Sequence, residues 1–261
     1  MAVRKSLRRA QVLPFFAKLP PCVVRMEACG TSHHWARELI RLGHDMRMMP
    51  PAYVKPYAKR GKTDAADAEA ICEAVTRPTM RFVPVKSPEQ QAALSMHRTR
   101  DLLVKQRTQL VNMVRGLLPE FGIDIPQGLQ RALEMARAIV DGQAPSVPPE
   151  AAKIVGRLSQ QALDTHVQCR EIGLDLLAWQ KTNDTACRLM SIPGIGPIGA
   201  TALAASVSDP HHFCSGREFA AWLDLTPPQH SSGRQGKTRT HHQDGRQIPS
   251  NTARRRHDVV D

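Results

Sequence analysis

The sequence predicts an α/β segment first, a helical coiled-coil segment next, and a mostly α segment after that. Three observations carry the prediction. Short apolar runs alternate with helix-like stretches as far as Val85, and a seven-residue repeat takes over from Pro88. A glycine-punctuated turn then leads into a small-residue helix within Leu189–Val207.

The α/β segment is read from punctuation and period. "PCVVRMEACG" (Pro21–Gly30) is a short apolar run bounded by breakers, which reads as a buried strand. A helix follows, with Thr31 as its cap and Gly43 as its stop. "HDMRMMP" (His44–Pro50) reads as a second strand. The loop "PAYVKPYAKRGK" leads to a helix from about Asp64 to Val75, and "RFVPV" (Arg81–Val85) reads as a third strand. Strands alternating with helices predict parallel pairing.

Beyond Pro88 the pattern is helical. Met96, Leu103, Leu110 and Leu117 recur every seven residues. A second stretch sets Val155, Ala162, Cys169 and Leu176 at the same spacing, interleaved with Leu158, Thr165, Ile172 and Trp179. Such a seam fits either an antiparallel hairpin within one chain or a dimer interface. In "LMSIPGIGPIGATALAASV", Gly194 and Gly196 close a tight turn of helix-hairpin-helix type, whose exposed N–H groups suit a close phosphate. A plain turn between packed helices is the alternative. "SGREFAAWLDLTP" (Ser215–Pro227) predicts an amphipathic helix with Phe219 and Trp222 on its buried side. After "QHSSGRQGKTRT" the periodicity ends, and the polar tail predicts disorder.

Composition narrows the classes. The chain has 261 residues, a formal net charge of +12 and six scattered cysteines without a CxxC pair. This usage predicts reduced thiols in a cytoplasmic setting, with no membrane span and no secretory signal. The charge is uneven. Residues 1–26 carry six basic and no acidic side chains, and the tail after Ser232 carries seven basic against three acidic, leaving only about +2 between them. Basic ends suit a polyanionic partner, and also suit solvated tails.

Asp64 and Asp67 pose a choice. Asp64 fits a helix cap and Asp67 the third position of a capping-box relative, where both charges favour the positive end of the helix dipole. Like charges three apart also repel mildly. A third carboxylate arriving at the same place would make a metal site. Glu27 is that third group, because a carboxylate in a buried strand is costly unless paired or bound to a cation. Strand ends and helix starts gather in one crevice of a parallel sheet, and clustered hard oxygens suit Mg²⁺. An ion pair between Glu27 and Arg25, or a loop lysine, is the competing reading. Cys29 with His33 and His34, and His211–His212 with Cys214, fall short of a four-ligand zinc set. Ser231 and Ser232 before Gly233 read, on spacing alone, as a flexible turn.

"MEACGTSHHWARELIRLGHDMRMMPPAYVKPYAKRGKTDAADAEAICEAV", "SIPGIGPIGATALAA" and "FCSGREFAAWLDLTPPQHSSG" together resemble the transposases of the insertion sequence 110/116/902 family. The resemblance spans about residues 5–233. It implies a partial RuvC-like (RNase H-like) DEDD domain over 1–86, a coiled-coil region over 87–182, and a transposase domain over 183–233, before the tail 234–261. Glu27, Asp64 and Asp67 match the family's carboxylates, and Ser232 matches its serine nucleophile, with Ser231 the near alternative. Gly194, Gly196, Arg217 and Lys237 are the expected DNA contacts. The resemblance further implies a divalent metal, Mg²⁺, a structured non-coding guide RNA (a bridge RNA), and a homo-oligomer, dimer or tetramer, in the bacterial cytosol. Its chemistry is a transient 5′-phosphoserine bond followed by strand exchange.

The chain departs from the family pattern in three ways. The family opens on a strand bearing a first aspartate, and nothing before Glu27 is acidic here. The tail turns polar as a shifted reading frame would, and Asp224 replaces the usual glycine. The expectation is a truncated, inactive copy. The alternatives are a non-catalytic nucleic-acid-binding remnant and a metal-dependent nuclease of the Holliday-junction type.

Overall fold

The computed structural model describes residues 5–57, 64–75, 80–143 and 147–225, in two compact units, Met1–Glu89 and Gln90–Asp261. Ser231, Ser232, Lys237 and the tail lie outside the described residues, as does the side chain of Asp64.

The first unit is a small α/β layer. Its order is α1 (Val12–Phe16), β1 (Val23–Glu27), α2 (Ser32–Arg41), β2 (Asp45–Met49), α3 (Pro51–Val54) and α4 (Asp64–Val75). β1 and β2 pair in parallel, with Val23 opposite Asp45 and Glu27 opposite Met49. α2 is the crossover that such a pair requires. It ends where predicted. Gly43, at φ +88°, lets its own N–H reach Ile40 O and the next N–H reach Leu39 O, a Schellman closure. Thr31 holds the N-cap position without a side-chain bond to the helix, while Ser32 Oγ accepts from Cys29 N and donates to Cys29 O.

Alternation along the strands separates two faces. Val24, Met26, Met46 and Met48 pack with Ala36 and Leu39 of α2. Met49 belongs to the other face, packed with Val54, Ala70 and Ala74 of α3 and α4. His44 pins α1 to this layer. Its Nδ1 accepts the Cys22 N–H at 3.3 Å, and its Nε2 lies 3.1 Å from Phe16 O, which fixes the proton on Nε2.

The predicted third strand is corrected. Val83 makes a single antiparallel bridge to Met48, with its N–H 2.7 Å from Met48 O. Among the described residues this bridge does not extend into a ladder. The segment is held instead by α2, where Arg37 donates to Lys86 O and His33 Nδ1 accepts the Lys86 N–H. On the other side, the ladder turns the backbone groups of Val23, Arg25 and Glu27 away from β2. Among the described residues nothing bonds them, so β1 is an open edge.

The second unit is helical. Its helices are α5 (Pro88–Leu117), α6 (Leu129–Val140), α7 (Pro149–Thr182), α8 (Asp184–Met190), α9 (Pro197–Ser206) and α10 (Gly216–Trp222). Val155, Ala162, Cys169 and Leu176 of the predicted seam are all buried. α5 and α7 run antiparallel in one chain. Ala93 and Leu94 share a cluster with Trp179, Arg107 bonds His166, and Val114 shares a core with Val155. Met96, Leu103, Leu110 and Leu117 only fringe that packing, and on α5 the fully buried residues are Ala93, Leu94, Val111 and Val114. Among the described residues no helix is long and apolar enough to cross a membrane.

Candidate functional site

Glu27 ends β1, on the strand's carboxyl side. Residues directly opposite in a sheet share a face, so Glu27 emerges beside Met49, on the side packed by α4. That face is unusually charged. Arg25 and Arg47 flank the Phe82 ring, each 5.3 Å from its centroid. Asp45 lies 3.2 Å from Arg47 and 3.9 Å from Arg25. Burial, and then the charge of Arg47, push the Arg25 pKa downward, while Asp45 pulls it up. Two guanidinium nitrogens of Arg25, Nε and Nη1, are shielded from solvent and make no hydrogen bond.

The competing expectation for Glu27 is an ion pair with Arg25. Arg25 is turned to Asp45 instead. Glu27 is half-buried, and among the described residues no side chain or backbone group bonds it.

α4 begins with Asp64 and carries Asp67 one turn later, on the stripe that continues through Ala70, Ile71 and Ala74. This stripe faces the sheet, and α4 packs against β1. Helix register thus directs Asp67 to the face on which Glu27 emerges, although its own side chain is exposed. Among the described residues no three metal-ligating side chains form a cluster. The zinc arrangements do not form either. His33 Nδ1 accepts from Lys86, and His212 Nδ1 lies 3.3 Å from Asp209.

In the second unit α8 and α9 pack through Ala186, Ala200 and Ala204. Between them Gly194 takes φ +89° in an exposed turn, and Gly196 is the N-cap before Pro197. A Cβ at either glycine would meet nothing within 4 Å, so the turn's backbone is open to a partner. Thr201 is fully buried behind this helix, 3.1 Å from His97 Nε2 on α5. Arg217 stands exposed on α10, at whose N-terminus Ser215 Oγ accepts the Glu218 N–H and the Glu218 carboxylate accepts the Cys214 N–H. Trp222 departs from expectation. It joins a ring cluster with Phe213 and Phe219, yet stays 46% exposed.

Sequence reasoning missed two groupings. One is the Arg25–Phe82–Arg47 stack beside Glu27, which needs the Val83 bridge to bring Phe82 across. The other is the arginine-rich surroundings of His166, for which the spacing of His166 and Arg170 on one helix face was the available signal.

The described residues thus form an α/β unit with a carboxylate at a parallel strand end and a helical unit with an open glycine turn. Comparison with known proteins gives the family. The model described as Transposase IS116/IS110/IS902 family matches residues 186–248, and a second, described as Transposase (DEDD, IS110 type), matches residues 6–123. A Pseudomonas aeruginosa protein named "Probable family 20 transposase" is 47% identical over 89% of this chain and 69% of its own length. The transposase for insertion sequence element IS1328 of Yersinia enterocolitica is 38% identical, over 88% of this chain and 68% of its own. That for IS1111A of Coxiella burnetii is 38% identical over 88% and 63%. The chain belongs to the IS110/IS116/IS902 family of insertion-sequence transposases. It spans 63 to 69% of the length of these three relatives.

Proposed function

We propose that the chain serves DNA transposition, with carboxylates of residues 1–89 and a serine near the C-terminal end of the sequence acting on a phosphodiester. The carrying observation is Glu27, half-buried, unbonded among the described residues, and placed on the sheet face that receives the helix bearing Asp64 and Asp67. A half-buried carboxylate without a protein partner is the chemistry that a hard cation relieves. Glu27, Asp64 and Asp67 would hold Mg²⁺, which when bound would offset the charge of the scissile phosphate. Ser232, or Ser231 beside it, is the nucleophile of this reading. Its Oγ attacks phosphorus, the bond from phosphorus to the 3′ oxygen breaks, and the serine proton ends on the leaving 3′ hydroxyl. The 5′ phosphate stays on the serine until the reverse attack joins a new strand.

The match over 186–248 includes both serines, which supports this assignment. The turn at Gly194 and Gly196, read as a helix-hairpin-helix element, together with Arg217 and Lys237, would contact DNA. A structured guide RNA and a homo-oligomer, in which one chain's carboxylates meet another's serine, complete the reading, in a cytoplasmic setting and with an RNase H-like first domain.

A second reading has its own observation. Residues 1–26 hold six basic side chains and no acidic one, a charge balance that suits binding of nucleic acid whether or not the chain cuts it. Denaturing gels of protein incubated with nicked duplex and Mg²⁺ separate the readings. A covalent protein–DNA band lost in Ser232→Ala supports transposase chemistry. Cleavage that survives Ser232→Ala indicates a nuclease, and binding without either product indicates a non-catalytic module.

A further inference from the structure

α5 and α7 carry their charges in two different manners. On the outer side of α5, Lys105 is matched by Asp101, and on α7 Asp164 takes a hydrogen bond from Gln160. The side around His166 is different. Arg107 of α5 donates from Nη1 to His166 Nδ1 at 3.1 Å. Arg170 of α7 and Arg137 of α6 stand close enough for their charges, after burial and with that of Arg107, to hold the imidazole below its usual pKa. Among the described residues none of Arg107, Arg137 and Arg170 has a carboxylate within ion-pair distance. Arg107 also lines a shallow cleft of about 220 Å³ with Asn112, Arg115 and the backbone of Gly128.

Unmatched cations cost energy in proportion to their closeness, since like charges repel. Arg107 bonded to His166, Arg170 one turn beyond His166 on α7, and Arg137 on α6, which packs against α7, gather positive charge without a matching carboxylate among the described residues. Small anions satisfy one such group. A polymer with regularly spaced charges satisfies all three, and two of them stand on helices of about 45 and 51 Å.

We propose that the face formed by Arg107, Arg137 and Arg170 grips the phosphodiester backbone of duplex DNA, using none of the carboxylates or serines named above. The grip is independent of base sequence, because guanidinium groups aimed at phosphates carry no base code. Asn112 in the adjoining cleft supplies a neutral amide that can donate to a neighbouring phosphate oxygen. The proposal rests on the reading of the chain as a DNA-processing protein.

The test is anisotropy of a labelled 30-bp duplex titrated with the full chain at several salt concentrations. Arg107→Gln/Arg137→Gln/Arg170→Gln should lower the salt slope of log K by about 3, one for each phosphate left without its guanidinium. A charge-matched control, Arg131→Gln/Lys153→Gln/Arg157→Gln, should keep the wild-type slope. Arg107→Lys, which keeps the charge, should also keep it, which distinguishes lost charge from lost folding. Equal loss in the control, or no loss in the triple variant, overturns the proposal. So does a slope that depends on the three arginines for an RNA hairpin and not for the duplex. Failure of the wild-type chain to bind duplex at all removes the transposition reading as well, whereas duplex binding unaffected by the triple variant removes only this surface.

Discussion

Glu27 and Met49 face each other across the carboxyl ends of β1 and β2, and so emerge together on the side of the sheet covered by α4. Met49 is fully buried there, while Glu27 stays half-buried and unbonded among the described residues. An apolar residue packs at this position, and a lone carboxylate next to it loses hydration without gaining a partner.

Removing that charge should therefore relieve the metal-free protein. Glu27→Gln keeps the shape and deletes the ionised oxygen, so in chelator-treated buffer the variant should unfold at the same temperature as wild type or a few degrees higher. Calorimetric melting checks this. A clear loss of stability would mean that Glu27 serves the fold through a bond to a neighbour.

The second unit should lose stability in mild acid. Burial first, and then Arg100, lowers the His97 pKa, and burial followed by Arg107, Arg170 and Arg137 lowers that of His166. A histidine with a depressed folded pKa binds its proton more readily in the unfolded chain, where the value is about 6.5. The stabilising difference is whole above that pH and drains away as pH falls through it towards the folded values. Melting temperature should drop between pH 7.5 and 5.5, and His97→Gln/His166→Gln should flatten the drop. An unchanged profile in the double variant would assign the acid sensitivity to other groups.

Asp224 is where a glycine should help. Among the described residues it is the one non-glycine with positive φ, at +56°, and it closes α10 with its N–H on Ala221 O and the next N–H on Ala220 O. That closure favours glycine. Asp224→Gly should stabilise by about 0.5–1 kcal/mol, visible as a higher denaturant midpoint and slower amide exchange at Leu225. A lower midpoint would show that the aspartate side chain offsets the strain through bonds of its own.

Much of this was legible because periodicity reports burial directly. The seven-residue spacing of Val155, Ala162, Cys169 and Leu176 named buried positions, and the punctuation around Val23–Glu27 and Asp45–Met49 named both strands. The third strand misleads because "RFVPV" has strand composition, and composition does not register that the segment bonds Met48 once and is then held by α2 through Lys86. The seam on α5 is only approximate, since Val111 and Val114 turn inward where the helix meets α6 and α7 within its own chain. Helix register assigns Trp222 to a buried side, yet rings clustered on a short helix leave one face wet. At the site, sequence flags Glu27, Asp64 and Asp67 as types, but the choice between ion pair and free carboxylate depends on Arg25 turning to Asp45 across the strands. No local pattern records that choice.

The central claim is that Glu27, Asp64 and Asp67 share one divalent ion. Titration of Mn²⁺, followed by the loss of its free electron-spin signal, reads that ion directly. The account predicts a site on the wild-type chain that Mg²⁺ displaces and that Glu27→Gln, Asp64→Asn and Asp67→Asn each weaken at least tenfold. Mn²⁺ bound equally well by wild type and all three variants, or by none of them, would contradict it.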